Sequence, residues 1–585
     1  MKRLLEFSRL STILLLTALV VPAELAGEGD GAVLVAEPSP GDRGVVLTAI
    51  QGEEIDEIPL TYLGVQKDLI GPGYDVHLVQ LEGPIADRIG VAAGMSGSPV
   101  YFDGKLLGAL AYRFGVLPGE PVAGVTPIQD ILRADRGRGG APAATPSLVA
   151  PIGTPVQLSG LAGPVRDWVA PQFEELGFVL VAGGGADEAT GEPPELRPGS
   201  PVGVELVRGD MSIAATGTVT YVDGETVYAF GHPFLGSGAV EMPMVSVAVV
   251  HTLADLAGSV KMTRVGDEVG SILEDRLTAV VGRSGRQARM IPLEVAVDGA
   301  DYGSQTFHFE VARSTTLSPL LAAVAVANAL SANVGHGQEA TMLSSGTIRI
   351  KGLPELPVEI AATSGSGSDP AIGVAVMLQT MLGSLWVNPF ADVELESVEL
   401  SVRVDPNVRR YRVEQLQYDR GPLRPGETLT VSCVLRRFRG GTVTRSFDLE
   451  LPEDLAPDAK LSLAVGPPEH VDRALGQPLA RRLRSAGDIN SVIGVLADIR
   501  ASHRLTAVLY EQAQGVVSRG VEYPDLPPSA QRLLSARART DKTSVIRAAD
   551  VARGEVELDG PIEGGVVVRL QVNSDLEPRN GERDR

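Results

Sequence analysis

Two glycine turns carry the residue types from which this 585-residue chain could build a reactive centre. The first is Gly94-Met95-Ser96-Gly97-Ser98-Pro99. Glycine on both sides of a serine lets the backbone turn sharply, lets a substrate carbonyl come close, and aims backbone amides at a developing oxyanion. The amides of Gly94 and Ser96 are the expected donors. Behind the turn, Val100-Tyr101-Phe102, the turn Asp103-Gly104 and Leu106 to Leu110 predict a hairpin that supports it. Serine is a poor nucleophile at neutral pH and needs a base, most often histidine. Seven histidines are present. His77 lies in an alternating strand, where a structural role is the default. His308, His470 and His503 sit in strand-like or charged contexts, and His251 and His336 have no glycine-turn context that ties them to Ser96. His232 differs, because in Tyr228-Ala229-Phe230-Gly231-His232-Pro233-Phe234 an apolar strand ends in glycine and histidine, with Pro233 fixing the exit of the chain. Taken singly, each turn has a plain structural explanation. Taken together they supply a nucleophile, Ser96, and a general base, His232.

Other chemistries find less support. Gly183-Gly184-Gly185 lacks the strand-glycine-helix order and the lysine of a phosphate loop. Carboxylates are scattered, with no His-X-X-X-His or Asp-X-Asp loop, so neither a metal nor another cofactor is expected. Cys433 is the only cysteine, which rules out an internal disulfide; between Val431 and Leu435 it is expected as a buried apolar residue. A net charge of -22 without long basic runs argues against nucleic acid as a partner, and the acidity reads as solubility.

The elements that must position the turns read as mainly β. The chain has 67 glycines, 41 prolines and 4% aromatic residues, which favours short strands and tight turns, and its length requires several cores. Residues 1–23 read as a signal peptide, with Lys2 and Arg3, an apolar run from Leu10 to Val21, and Val21-Pro22-Ala23 as the cleavage region. Export to the periplasm, cell envelope or medium follows, with membrane contact only through this segment if it stays uncleaved. A serine-bearing β unit is expected over 32–133, closed by a short helix that Thr126 caps and Pro127 opens. A linker at 134–149 and a histidine-bearing β unit at 150–315 follow, the latter with a hairpin turn at Asp223-Gly224. Residues 316–390 predict two buried apolar helices, opened by Ser318-Pro319 and Asp369-Pro370. Alternation at Val398, Leu400, Val402 and Val404 opens a β-sandwich over 391–467, and a mixed helix and strand region occupies 468–585. No internal repeat stands out.

Together the two turns resemble the SpoIVB peptidase family, serine peptidases related to the chymotrypsin-like double β-barrels. The resemblance covers GMSGSPVYFDGKLLGALAYRF and AGVTPI, and the stretch of about 202–240 around Gly231-His232-Pro233-Phe234. It implies a double β-barrel core, a Ser/His mechanism with Ser96 as nucleophile and His232 as base, and cleavage of a protein substrate, in a signalling role. The blocks stand in swapped order, since Ser96 precedes His232 by 136 residues where the family has histidine first. A circular permutation of the two barrels would restore the geometry, because a triad depends on positions in space. The family's acid lies shortly before the serine motif, which implies Glu82, with Asp87, Asp75 and Asp223 as alternatives. A chain with no acid at the histidine would instead be an inactive peptidase-like scaffold or protein-binding module.

Overall fold

A computed structural model describes residues 33–572 apart from 116–119, 137–148, 184–194, 256–257, 300–302, 334–338, 366–368, 419–422, 456–458, 500, 512–514, 519–520, 524–526, 528, 531–532, 534–542 and 547. The expected signal peptide and most of the expected linker lie outside these residues. Strand accounts for 53% of the structure and helix for 19%, so the mainly β expectation holds.

The first sheet closes on itself. Strands β1 (Arg43–Ala49), β2 (Ile55–Gly71), β3 (Tyr74–Leu81), β4 (Pro99–Phe102), β5 (Lys105–Phe114) and β6 (Val122–Pro127) form a ring. Its order is β1-β2-β3-β6-β5-β4, with β4 returning to β1 and every neighbour antiparallel. Closure leaves no edge unpaired. Val46, Ile58, Leu60, Val79, Val100 and Leu110 alternate inward to fill it. Helix α1 (Gly83–Ile89) joins β3 to the serine turn, and α2 (Ile128–Arg133) follows β6. Thr126 does not cap α2: Pro127 holds the cap position without a side-chain bond, and the Thr126 hydroxyl is used elsewhere. Residues 134–136 make one 3-10 turn, and β7 (Val149–Pro151) pairs with β5, so the first sheet reaches into the segment expected to begin the second unit.

A parallel pair, β8 (Thr154–Ser159) and β9 (Phe178–Ala182), is connected by α3 (Gly163–Glu175). A second ring follows in β10 (Pro201–Gly209), β11 (Ser212–Asp223), β12 (Thr226–Ala229), β13 (Gly238–Leu253), β14 (Val260–Asp275) and β15 (Val280–Ser284). Its order is β10-β11-β12-β15-β14-β13, with β13 returning to β10. The connectivity is that of the first ring, a repeat of topology that the amino-acid pattern does not display.

Strands β16 (Met290–Gly299), β17 (Gly303–Ala312), β18 (Thr341–Ile350), β19 (Leu356–Thr363) and β20 (Leu395–Asp405) extend the second ring outward through the β17–β10 pair. The alternation in β20 points inward as expected, but the strand pairs with β16 and β18 and so belongs to this large sheet, not to the sandwich. Helices α4 (Ser318–Asn333) and α5 (Pro370–Trp386) cover the sheet, and Asp369 caps α5 by accepting the Ala371 N–H at 2.8 Å. The polar Asn328 in α4 is tolerated because it accepts the Ala162 N–H at 2.8 Å and donates to the Gly160 carbonyl at 2.9 Å. Among the described residues no helix is long and apolar enough to cross a membrane. Two four-stranded sheets, drawn from 411–450 with 562–563 and from 460–466, 504–511, 549–557 and 566–571, enclose a separate core around the fully buried Cys433. The sandwich therefore takes strands from beyond the range of 391–467.

Candidate active site

The serine turn grows out of β3. Pro84 starts α1, Gly90 ends it at φ 59°, and the chain then folds back with Met95 N–H bonded to the Ala92 carbonyl and Ser98 N–H to the Met95 carbonyl. Gly94 and Gly97 lie at φ 92° and 93°, in the left-handed region. At Gly97 a Cβ would stand 2.0 Å from the Thr218 carbonyl oxygen and 2.5 Å from Phe230 N, so the close approach itself demands glycine. Ser96 is wholly buried, and its Oγ has no hydrogen-bond partner.

The histidine turn leaves β12 through two successive left-handed residues, Phe230 and Gly231, both at φ 69°. For a bulky residue such as Phe230 this conformation is strained and is held by its surroundings. His232 is 2% exposed. Its Nδ1 lies 2.8 Å from the Pro233 carbonyl oxygen, which can only accept, so Nδ1 carries the proton and Nε2 keeps its lone pair. Nε2 is buried with no partner. Desolvation pushes the imidazole down to about 4, against smaller opposing effects of the Pro233 and Ile152 backbones. The ring is therefore neutral near pH 7, as a base must be.

Threonines clasp the two turns reciprocally. From β11 of the second ring, Thr218 donates its amide to the Ser96 carbonyl at 2.8 Å and its hydroxyl to the Gly94 carbonyl at 3.0 Å. Thr220 donates its hydroxyl to the Gly97 carbonyl at 2.7 Å. From β6 of the first ring, Thr126 Oγ1 donates to the Gly231 carbonyl at 2.7 Å. Phe230 N–H in turn donates to the Thr218 carbonyl at 3.2 Å. Ser96 and His232 each sit on the connection between the third and fourth strands of their own ring, and these two connections meet. The two turns are brought into one seam, but Ser96 Oγ and His232 Nε2 make no hydrogen bond to each other. The Gly94 amide, expected as an oxyanion donor, is instead bonded to the Gly153 carbonyl at 3.1 Å and is not free to hold an oxyanion.

The carboxylates named from sequence lie elsewhere. Glu82 accepts from the Thr61 hydroxyl at 2.6 Å and stands 3.9 Å from Arg43. Asp75 is paired with Lys67 at 2.5 Å, and Asp87 and Asp223 are exposed. None of the four is bonded to His232, whose Nδ1 is taken by Pro233. The acid that serves the histidine turn is Asp275, at the end of β14 and 1% exposed. It accepts the amides of Phe234, Leu235 and Ser237 at 2.7, 2.8 and 3.0 Å. Desolvation raises its pKa, and the amides oppose that shift. Asp275 thus fixes the loop that leaves His232 and makes no hydrogen bond to the imidazole. Among the described residues, no three His, Cys, Asp or Glu side chains converge as metal ligands. No family model, no curated protein and no solved structure gave a match to the chain.

Proposed function

We propose that the chain is an exported serine endopeptidase of the SpoIVB type, held in a closed form and acting on a protein or peptide substrate. One observation carries the proposal: Ser96 Oγ and His232 Nε2 are both buried without partners, on equivalent connections of two rings that clasp each other. Orphaned buried polar atoms are rare and call for a reason. Two six-stranded rings of equal connectivity support the reading of a chymotrypsin-like double barrel with the serine half first. In the reaction, Ser96 Oγ bonds to the scissile carbonyl carbon as His232 Nε2 takes the hydroxyl proton. The carbonyl oxygen becomes an oxyanion held by the amides of Gly94 and Ser96, and the imidazolium returns the proton to the departing amine. Water, deprotonated by the same nitrogen, then attacks the acyl carbon, and the imidazolium returns that proton to Ser96 Oγ as the ester bond breaks. The Pro233 carbonyl fixes the tautomer of the base, while Asp275 positions its loop. Opening must free the Gly94 amide from Gly153, so access and oxyanion binding arise together.

The complete burial of Ser96 favours a second reading, an inactive peptidase-like envelope scaffold. Reaction with a fluorophosphonate probe separates the two. Covalent labelling that is lost in Ser96→Ala and strongly reduced in His232→Ala is the expected outcome. Labelling that survives Ser96→Ala overturns the assignment, and a wild type that never labels leaves the scaffold.

A further inference from the structure

Beside the serine turn lies a buried lysine that the proposed chemistry does not use. The β13–β14 hairpin of the second ring reaches across to the first: Gly52 and Val249 exchange backbone hydrogen bonds of 2.6 and 2.9 Å. Three residues before Ser96, Ala93 donates its amide to the Ser259 carbonyl at 2.8 Å and accepts the Lys261 amide at 3.1 Å. From that strand the Lys261 side chain, with no exposed surface, runs beneath Gly94, where a Cβ would meet its Cδ at 3.2 Å. It ends with Nζ donating to Thr48 Oγ1 on β1 at 2.7 Å. The same oxygen accepts the Ser98 hydroxyl at 2.9 Å. Thr48 and Ser98 are also fully buried. Lys261, Thr48 and Ser98 thus tie three segments together under the turn: the hairpin of one ring, a strand of the other, and the nucleophile's own loop.

The surroundings of Nζ decide its charge. Asp56 on β2, opposite Thr48 in register, is the charged group that acts on it, and Asp56 Oδ2 is engaged by the Ile50 amide at 3.1 Å. From β13 the register partner is the neutral Thr252, while the nearby His251 is exposed. Hydroxyls and one acid at a distance do not replace the water an ammonium loses. Desolvation accordingly brings the amine down to about 7, with Asp56 opposing. Any motion that lifts the hairpin from Ala93 and the serine turn wets this amine and returns it to the ordinary lysine range.

We propose that Lys261 is a positioning residue that latches the serine turn: uncharged and bonded through Thr48 to Ser98 it keeps the turn shut, and opening of the turn takes up one proton at its amine. The functional importance of this latch rests on the reading of Ser96 as a nucleophile that must be uncovered. The sign follows from linkage. The open state binds the proton up to about pH 10.5 and the closed state only below about 7. The open population therefore rises about tenfold for each unit of pH lowered between about 10 and 7, and levels off below 7.

The test is hydrogen exchange of the full chain between pH 6 and 10, reading the Ala93 and Gly94 amides after correction for intrinsic rates. In the wild type the opening constant should fall about tenfold per unit above pH 7 and be flat below it. Lys261→Met should remove the slope. Thr48→Val, which breaks the tie but keeps the amine, should raise opening at every pH and keep the slope. A wild type with equal opening at pH 7 and 9, or a Lys261→Met chain that keeps the slope, overturns the latch. If Lys261→Met does not fold, a flat wild-type profile still refutes it, and a slope with uniformly raised opening in Thr48→Val supports it. Exchange makes no use of catalysis, so a chain that shows the slope but never reacts with the fluorophosphonate keeps the latch and loses the peptidase.

Discussion

Replacing Gly97 by alanine probes the seam on which the whole site depends. The new Cβ would lie 2.0 Å from the Thr218 carbonyl oxygen and 2.5 Å from Phe230 N, both backbone atoms of the opposite ring that no rotamer change can move. Two costs add. A non-glycine residue in the left-handed region costs about 1–2 kcal/mol, and forcing extra volume into a packed contact costs about 1–3 kcal/mol. Gly97→Ala should thus destabilise by about 2–5 kcal/mol in all. Gly104→Ala is the matched control: its φ of 72° is also left-handed, yet nothing lies within 4 Å of its Cβ position, so only the conformational part applies. The assay is urea unfolding together with hydrogen exchange at Thr218, whose amide is bonded to Ser96, and at Phe230, whose amide is bonded to Thr218. Exchange at these two amides should accelerate strongly in Gly97→Ala and stay near wild type in Gly104→Ala. Equal stability and equal protection in the two variants would refute the seam as drawn.

Acid should weaken the fold through His232, whose pKa is about 4 in the folded chain against about 6.5 unfolded. The folded state then binds fewer protons between these values, so stability falls as pH drops from 6.5 to 4 and levels off below, by about 3 kcal/mol in total. Urea midpoints at pH 7 and 4.5 should draw apart more in the wild type than in His232→Phe, and parallel losses would contradict the burial of a neutral ring. Asp275→Ala takes the acceptor from the buried Phe234 amide, at about 1–3 kcal/mol, and from the partly buried amides of Leu235 and Ser237 at less, so it should destabilise by a few kcal/mol and abolish fluorophosphonate labelling. Glu82→Ala removes a partly exposed carboxylate from Thr61 and Arg43 and should change stability by less than about 1 kcal/mol. It should also leave labelling intact, and loss of labelling in this variant would restore Glu82 as the acid.

What the sequence made legible was local. Ser96 and His232 stand out because glycine and proline around a reactive side chain record a backbone conformation within six or seven residues. Val398, Leu400, Val402 and Val404 announced an inward face for the same reason. Which sheet that strand joins depends on β16 and β18, about 50 to 100 residues away, and no pattern within β20 encodes the choice. Asp275 was invisible because it works by accepting amides 38 to 41 residues back, and amides leave no side-chain signature. Thr218 and Thr220 read as ordinary β-branched strand residues, and Thr126 read as a helix cap, until partners from the other ring revealed their hydroxyls as clasps. Lys261 in Lys261-Met262-Thr263-Arg264 gave no hint that its face of the strand points inward. The resemblance places the acid at Glu82, 14 residues before Ser96, whereas the fold uses that carboxylate to hold β2 to the end of β3.

Ser96 and His232 hang from matching corners of two look-alike rings, and neither ring alone holds both side chains. Their meeting is therefore a property of docking. Each ring is closed by its own hydrogen bonds, while the threonine clasps set the place of one turn against the other.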